Sequence, residues 1–386
     1  MYQRSLARRT QEFRAKRKVH SMRRSFNGLL SCVAAVIVGA MCFGQDESNS
    51  APLVLNETVP IVAGLNVPTD AVDNAAPVAP VAIEAAESRL RPQDQFWVIE
   101  TGHLPWVDCN GANVPQLAIS QFHCVSGWKN ATLPEFLAET NNATTVFYVS
   151  GNRVADGEAI RRGWMYYDNL VRNLDAGGIN ANRGPIRMVV WSWPSERIPG
   201  MRRDILTKAD RTGTEGVYLG WLLTQFAPEA QVSLVGYSFG SRVVSGAMHA
   251  VRSGELEGVA VPGYVSQENR RQSRVVLMVP AMHNFWMQPG QAHGMALFHV
   301  DRMLVFTNSC DPAMKHYPLI DRCVRPEALG YTGLVGSTIF GENDPRYRQM
   351  DVCCSIGRSH NEQLYLCNPV LMSHLQHYLM WDEVGN

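Results

Sequence analysis

The residues in this chain with the local pattern of an activated nucleophile are Gly236-Tyr237-Ser238-Phe239-Gly240. A serine hydroxyl attacks a carbonyl only when a base takes its proton and donors receive the developing oxyanion. Glycine two residues to either side leaves room for neighbouring backbone, so the chain can leave a strand, turn sharply at the serine and enter a helix. Three fixed positions are a weak pattern by themselves; the flanks carry the assignment. Gln231 to Val235 reads as a buried strand, and Ser241 to His249 as a helix. Ser238 is the expected nucleophile, and the Phe239 N–H at the helix start is one expected oxyanion donor.

The base and its orienting acid are expected further along, in the order serine, acid, histidine. Residues 303–307 read as a strand, and Asn308-Ser309-Cys310-Asp311-Pro312 is the loop at its C-terminal end, where open α/β sheets place active residues. Asp311 is the expected acid. Asp351 is the alternative, and Asp301 sits at the wrong end of that strand. Asp311 is also a plain turn-former before Pro312. His360, in Gly357-Arg358-Ser359-His360, is the expected base, since it lies in a loop just before the last helices. His374 and His377 fall inside the final helix, His316 is close to Asp311 in sequence, and His249, His283, His293 and His299 precede the acid strand. The second oxyanion donor is expected after an earlier strand, in Val149-Ser150-Gly151-Asn152-Arg153. The Asn152 N–H is the first choice and Gly151 the alternative.

These side chains need a scaffold. Short apolar runs at 96–99, 145–150, 187–191, 232–235, 275–279 and 303–307 alternate with helix-like stretches at 156–174, 214–226 and 239–251 and a last helix striped by Leu371, Leu375, Tyr378 and Leu379. Continuous β-branched runs mark buried parallel strands, and strand–helix alternation implies an α/β fold. Trp164 to Tyr167 and Phe285 to Met287 could line an acyl pocket, but such clusters more often build core.

With those residues in view, the chain from about Phe96 onward resembles the α/β-hydrolase superfamily. More narrowly, it is similar to a bacterial branch of hydrolases of unknown function. Trp191-Ser192-Trp193-Pro194-Ser195, the Ser238 turn, Ala328-Leu329-Gly330-Tyr331-Thr332-Gly333 and the stretch from Asp351 to His360 carry that likeness. The resemblance implies a mainly parallel sheet with helices on both faces, and Ser238, Asp311 and His360 as the triad. Many relatives have His-Gly at the oxyanion loop where this chain has Ser150-Gly151, which puts that loop's side-chain support in question. No large cap domain is expected: residues 280–302 between the last two expected strands accommodate one connecting helix. Residues 102–140 are the alternative source of a mobile lid.

The chain has 386 residues and zero formal net charge, which argues against a general nucleic-acid binder. Residues 1–24 hold nine Arg/Lys and one acid, residues 25–44 hold no charge, and the remainder carries a net −8. Met22-Arg23-Arg24-Ser25-Phe26 ahead of the apolar run 29–44 reads as an export signal, with similarity to a twin-arginine signal, or as an uncleaved membrane anchor. Residues 45–94 hold no aromatic residue and are punctuated by proline, the composition of a disordered linker. The hydrolase domain is expected over 95–386, exported to the periplasm or cell envelope, or anchored at the inner membrane. After export, disulfides can form; Cys109/Cys124 and Cys310/Cys323 have loop-closing spacings, which do not fix the pairing.

Phosphate-loop, His-Glu-x-x-His and Cys-x-x-Cys patterns are missing, so no metal or cofactor is expected. The expected activity is hydrolysis of a small-molecule or lipid-like acyl ester or thioester through an acyl-enzyme. The rivals are an acyltransferase with the same triad and a non-catalytic tethered envelope protein.

Overall fold

The computed structural model describes residues 90–107, 111–138, 143–176, 184–320, 324–335 and 344–381. The expected leader and most of the linker lie outside them. Ordered contacts begin ahead of Gln95: the buried Asp94 carboxylate accepts from Tyr167 Oη at 2.7 Å and from the Ile186 N–H at 2.9 Å.

The strands are β1 (Gln95–Glu100), β2 (Ala118–His123), β3 (Gly127–Ala131), β4 (Thr144–Val149), β5 (Ile186–Ser192), β6 (Gln231–Tyr237), β7 (Glu255–Leu256), β8 (Val259–Ala260), β9 (Ser273–Met278), β10 (Val300–Thr307) and β11 (Tyr347–Asp351). Nine of them form one sheet in the order β11-β10-β9-β6-β4-β5-β1-β2-β3, and β7 and β8 form a separate hairpin. Pairing is parallel from β1 through β5, β4, β6, β9 and β10 to β11, and antiparallel only at the β1–β2–β3 edge. The central strands β4, β5 and β9 are buried along their whole length, as their unbroken apolar runs require.

The helices are α1 (Leu133–Ala138), α2 (Asp156–Ala176), α3 (Met201–Thr224), α4 (Phe239–Ser253), α5 (Pro312–Lys315), α6 (Leu329–Thr332), α7 (Cys353–Ile356), α8 (Glu362–Leu366) and α9 (Pro369–Leu379). Helices α3 and α4 pack together on one face of the sheet; α2, α8 and α9 pack together on the other. This two-sided arrangement around a mainly parallel sheet is the α/β-hydrolase fold. The chain passes from β4 to β5 on one side and returns to β6 on the other, so the sheet reverses its winding between β4 and β6. A crevice opens at such a switch point beyond the strands' C-terminal ends.

Two expectations need correction. Helix α3 begins at Met201, not near Thr214, because the buried face of its first half is formed mainly by Asp204, Lys208 and Arg211 rather than by apolar residues, so no apolar periodicity marks it; each of the three has specific partners. The 280–299 connection holds no α-helix, only turns and one 3-10 turn, Ala296–His299. Its Pro280, Pro289, Gly290 and Gly294 interrupt helical bonding, while Met282, Met287 and Leu297 pin it to the core. Within 102–140, the described residues include the β2–β3 hairpin at the sheet edge and α1, and Phe136 of α1 is fully buried.

Candidate active site

Ser238 stands at the end of β6 with φ 52° and ψ −115°, a left-handed conformation that side-chain-bearing residues rarely adopt. Backbone bonds hold it there: its N–H donates to Met278 O at 2.9 Å, and its carbonyl accepts from the Ser241 and Ala281 N–H groups at 3.1 Å each. The two glycines are required by close approach. A Cβ at Gly240 would lie 2.1 Å from Val149 O, and one at Gly236 would lie 2.6 Å from Ser241 Cα. The serine side chain does not cap the helix it starts, so its hydroxyl is left for another partner.

That partner is His360. Its Nε2 lies 3.1 Å from Ser238 Oγ, and its Nδ1 lies 2.5 Å from Asp311 Oδ2. An ionised carboxylate only accepts, so the ring proton belongs on Nδ1 and Nε2 is free to accept the serine proton. Asp311 is fully buried, and its other oxygen accepts from the Ala313 and Met314 N–H groups at 2.8 and 3.3 Å, capping α5. The helix cap and the His360 contact thus fall on different oxygens of one carboxylate. Asp351 serves elsewhere: it accepts from Ser309 Oγ at 2.5 Å and from the Cys353 N–H at 3.0 Å. Asp301 pairs with Arg274 at 2.8 Å, near the start of β10.

The loop after β4 lies against the serine. A Cβ at Gly151 would sit 3.2 Å from Ser238 Cβ. The Arg153 N–H is committed to Ser195 O at 2.6 Å, while the amides of Gly151 and Asn152 have no backbone acceptor among the described residues. The Phe239 N–H, first in α4, has no intrahelical acceptor. Support for this loop comes from residues that spacing does not reveal. Trp193 Nε1 donates to Ser150 O at 2.9 Å, and Ser195 Oγ donates to Val154 O at 2.6 Å. Buried Asp204 accepts from Asn152 Nδ2 at 3.2 Å and Arg153 Nε at 2.8 Å. The Ser150 hydroxyl itself is buried without a partner.

The His360 loop is held by side chains. Asn308 Nδ2 donates to Gly357 O, Ser359 O and Tyr365 Oη at 3.0 to 3.2 Å. Tyr237 Oη donates to His360 O. Two residues on, buried Glu362 accepts from Tyr148 Oη at 3.0 Å and Arg162 NH1 at 2.6 Å. Burial pushes the Glu362 carboxyl up, and Arg162 opposes that shift. Cys310 bonds to Cys353 with Cα atoms 5.4 Å apart, so the expected loop with Cys323 does not form. Parallel pairing of Thr307 with Asp351 brings the two cysteines together. Cys124 carries a free thiol; Cys109 and Cys323 lie outside the described residues.

Trp164, Tyr166 and Tyr167 are core residues of α2, and Met287 is fully buried; Phe285 and Trp286 are half-buried. Among the described residues no group of His, Cys, Asp and Glu could hold a metal, and no helix is long and apolar enough to cross a membrane. Residues 29–44 lie outside them.

No family model and no curated protein matches this chain. Among solved structures it is similar to an inhibited esterase B from Lactobacillus rhamnosis, at 14% identity over 78% of this chain and 92% of that one, with a TM-score of 0.31. It is also similar to the esterase Est22, at 11% identity over 77% and 84% of the two chains and a TM-score of 0.34. Likeness at this level decides nothing about chemistry, which rests on the geometry above.

Proposed function

We propose that this chain is an exported serine hydrolase that cleaves an acyl ester or thioester. The observation that carries the reading is a hydroxyl, an imidazole and a buried carboxylate in relay, 3.1 and 2.5 Å apart, with the hydroxyl on a backbone held at positive φ.

Ser238 Oγ attacks the acyl carbonyl while His360 Nε2 takes its proton, and Asp311 stabilises the imidazolium. The Phe239 N–H and the Asn152 N–H, or its neighbour at Gly151, receive the oxyanion. Collapse of the tetrahedral intermediate breaks the bond to the leaving oxygen or sulfur, which takes the proton from His360. Water, deprotonated by the same imidazole, then attacks the acyl-enzyme and restores Ser238. With no multi-helix cap between β9 and β10, the serine should be reachable by bulky or lipid-like acyl groups. The basic and apolar leader would direct export or anchor the chain, and the proline-punctuated segment would tether the domain.

Ser238→Ala should abolish both ester hydrolysis and fluorophosphonate labelling, with the circular dichroism spectrum unchanged. Labelling that persists in the variant would refute the assignment. Simple saturation kinetics on soluble short-chain esters are expected. A rate jump when substrate forms an interface would instead point to a mobile lid.

A further inference from the structure

Arg242 lies one helical turn beyond Ser238 on α4. It is 8% exposed, yet no carboxylate pairs with it among the described residues, and the first turn of α4 contains no acid. Its Nε is sealed from solvent with no hydrogen-bond partner. Its guanidinium carbon sits 4.6 Å from the Trp286 ring centroid and 5.4 Å from that of Phe239. Ring faces attract the cation, but a guanidinium carries five in-plane N–H donors. A buried charge without an anion is costly, and it is retained where a partner completes it.

The direction of the side chain matters. Long side chains on a helix lean toward its N-terminus. Here that direction leads to Phe239, the residue next to the nucleophile. Phe239 is also the first residue of α4, at the positive end of the helix dipole, which favours a negatively charged guest there. His293, its ring centroid 4.8 Å from that of Trp286, bonds Ser245 at 2.8 Å and is held neutral by burial, so Arg242 is the charged group there.

We propose that Arg242 is a specificity residue that binds an anionic group, a carboxylate or phosphate, on the ester undergoing cleavage. This deepens the hydrolase reading and rests on it: the substrate class becomes acyl esters bearing a negative charge near the scissile bond. The charge can sit on the acyl or the alcohol side, and the test separates the two.

In the acyl arm, the monosuccinate and butyrate esters of one phenol are compared. In the alcohol arm, the butyrate esters of 4-hydroxybenzoate and of its methyl ester are compared. In one arm the acidic ester should exceed its neutral partner in kcat/KM by about tenfold or more, the range of a charge-assisted hydrogen bond. Arg242→Met should bring that ratio to about one, and Arg242→Lys should keep part of it. A purely structural role for Arg242 would lower both esters together and leave the ratio intact, which would overturn the proposal. If Arg242→Met does not fold, the wild-type ratio and competitive inhibition by free succinate or benzoate decide. Cleavage of neutral esters with no preference in either arm would sink the anion site and leave the hydrolase standing. No cleavage of any ester, with no fluorophosphonate labelling, would sink both.

Discussion

Ser238 and His360 face each other across 3.1 Å but are held in different ways. The serine is fixed by backbone: a strand end, a helix start, two glycines pressed against carbonyls and amides, and three main-chain hydrogen bonds. The histidine sits on a loop whose position depends on side chains: Asn308, Tyr237, the neighbouring Glu362 anchored by distant Arg162, and the Cys310–Cys353 bond. Backbone placement tolerates almost no change of shape but is indifferent to redox state. The side-chain framework can be weakened in steps, and part of it depends on an oxidising compartment.

The serine turn is the more sensitive of the two to substitution. Gly240→Ala should cost more than about 3 kcal/mol, because the new Cβ meets main-chain oxygen that cannot move aside, and urea denaturation should show it. A fully stable variant would mean that the turn relaxes more easily than its contacts imply. On the histidine side, reduction of Cys310–Cys353 should lower stability by about 2–4 kcal/mol and reduce activity, since the bond adjoins Asp311. Activity unchanged after verified reduction would show that the Asp311 loop is held without it. Asn308→Ala should be milder in stability, about 1–2 kcal/mol, but should lower kcat with little change in KM, because it frees the His360 loop rather than a substrate contact.

The smallest expected effect is on the pH dependence of stability. Burial lowers His249, on α4, to about 4, and His299 to about 4. A histidine with a depressed folded-state pKa lets the unfolded chain bind more protons between pH 6.5 and 4. Stability is therefore full above about 6.5 and is lost as pH falls, by about 1.5 kcal/mol per histidine at most from pH 6.5 to 5. Glu362 works in the opposite sense: its raised carboxyl favours the folded state at low pH, and that contribution is lost as pH rises through its folded-state value. His249→Asn, which can still accept from the Met295 N–H, should flatten the acid-side decline in thermal stability. An unchanged slope would show that His249 does not contribute to the acid-side decline.

Much of this could be read in the sequence because it is local or periodic. The apolar runs at 145–150, 187–191 and 275–279 correspond to β4, β5 and β9, since strands buried on both faces need uninterrupted apolar residues. Strands β2, β3 and β11 could not be read this way. They are polar, lie at or near the sheet edges, and bury only part of their length, so no apolar run marks them. The sharp turn at Ser238 is legible because its constraints lie within a few residues of it. Chain order and loop position pointed to Asp311 and His360, but only the fold brings them to 2.5 Å, across 49 residues of sequence.

What the sequence determined by itself was the alternation of strand and helix and the sharp turn at Ser238, because backbone conformation responds to neighbouring residues. What only the tertiary structure decided was who supports that turn and its partners. Asp204 braces Asn152 and Arg153 from 51–52 residues away, Trp193 holds Ser150, Asn308 holds the His360 loop, and Cys310 finds Cys353. These pairings join side chains whose separation along the chain carries no period and no motif. They are set by strand order and register, which depend on how the whole apolar surface is buried.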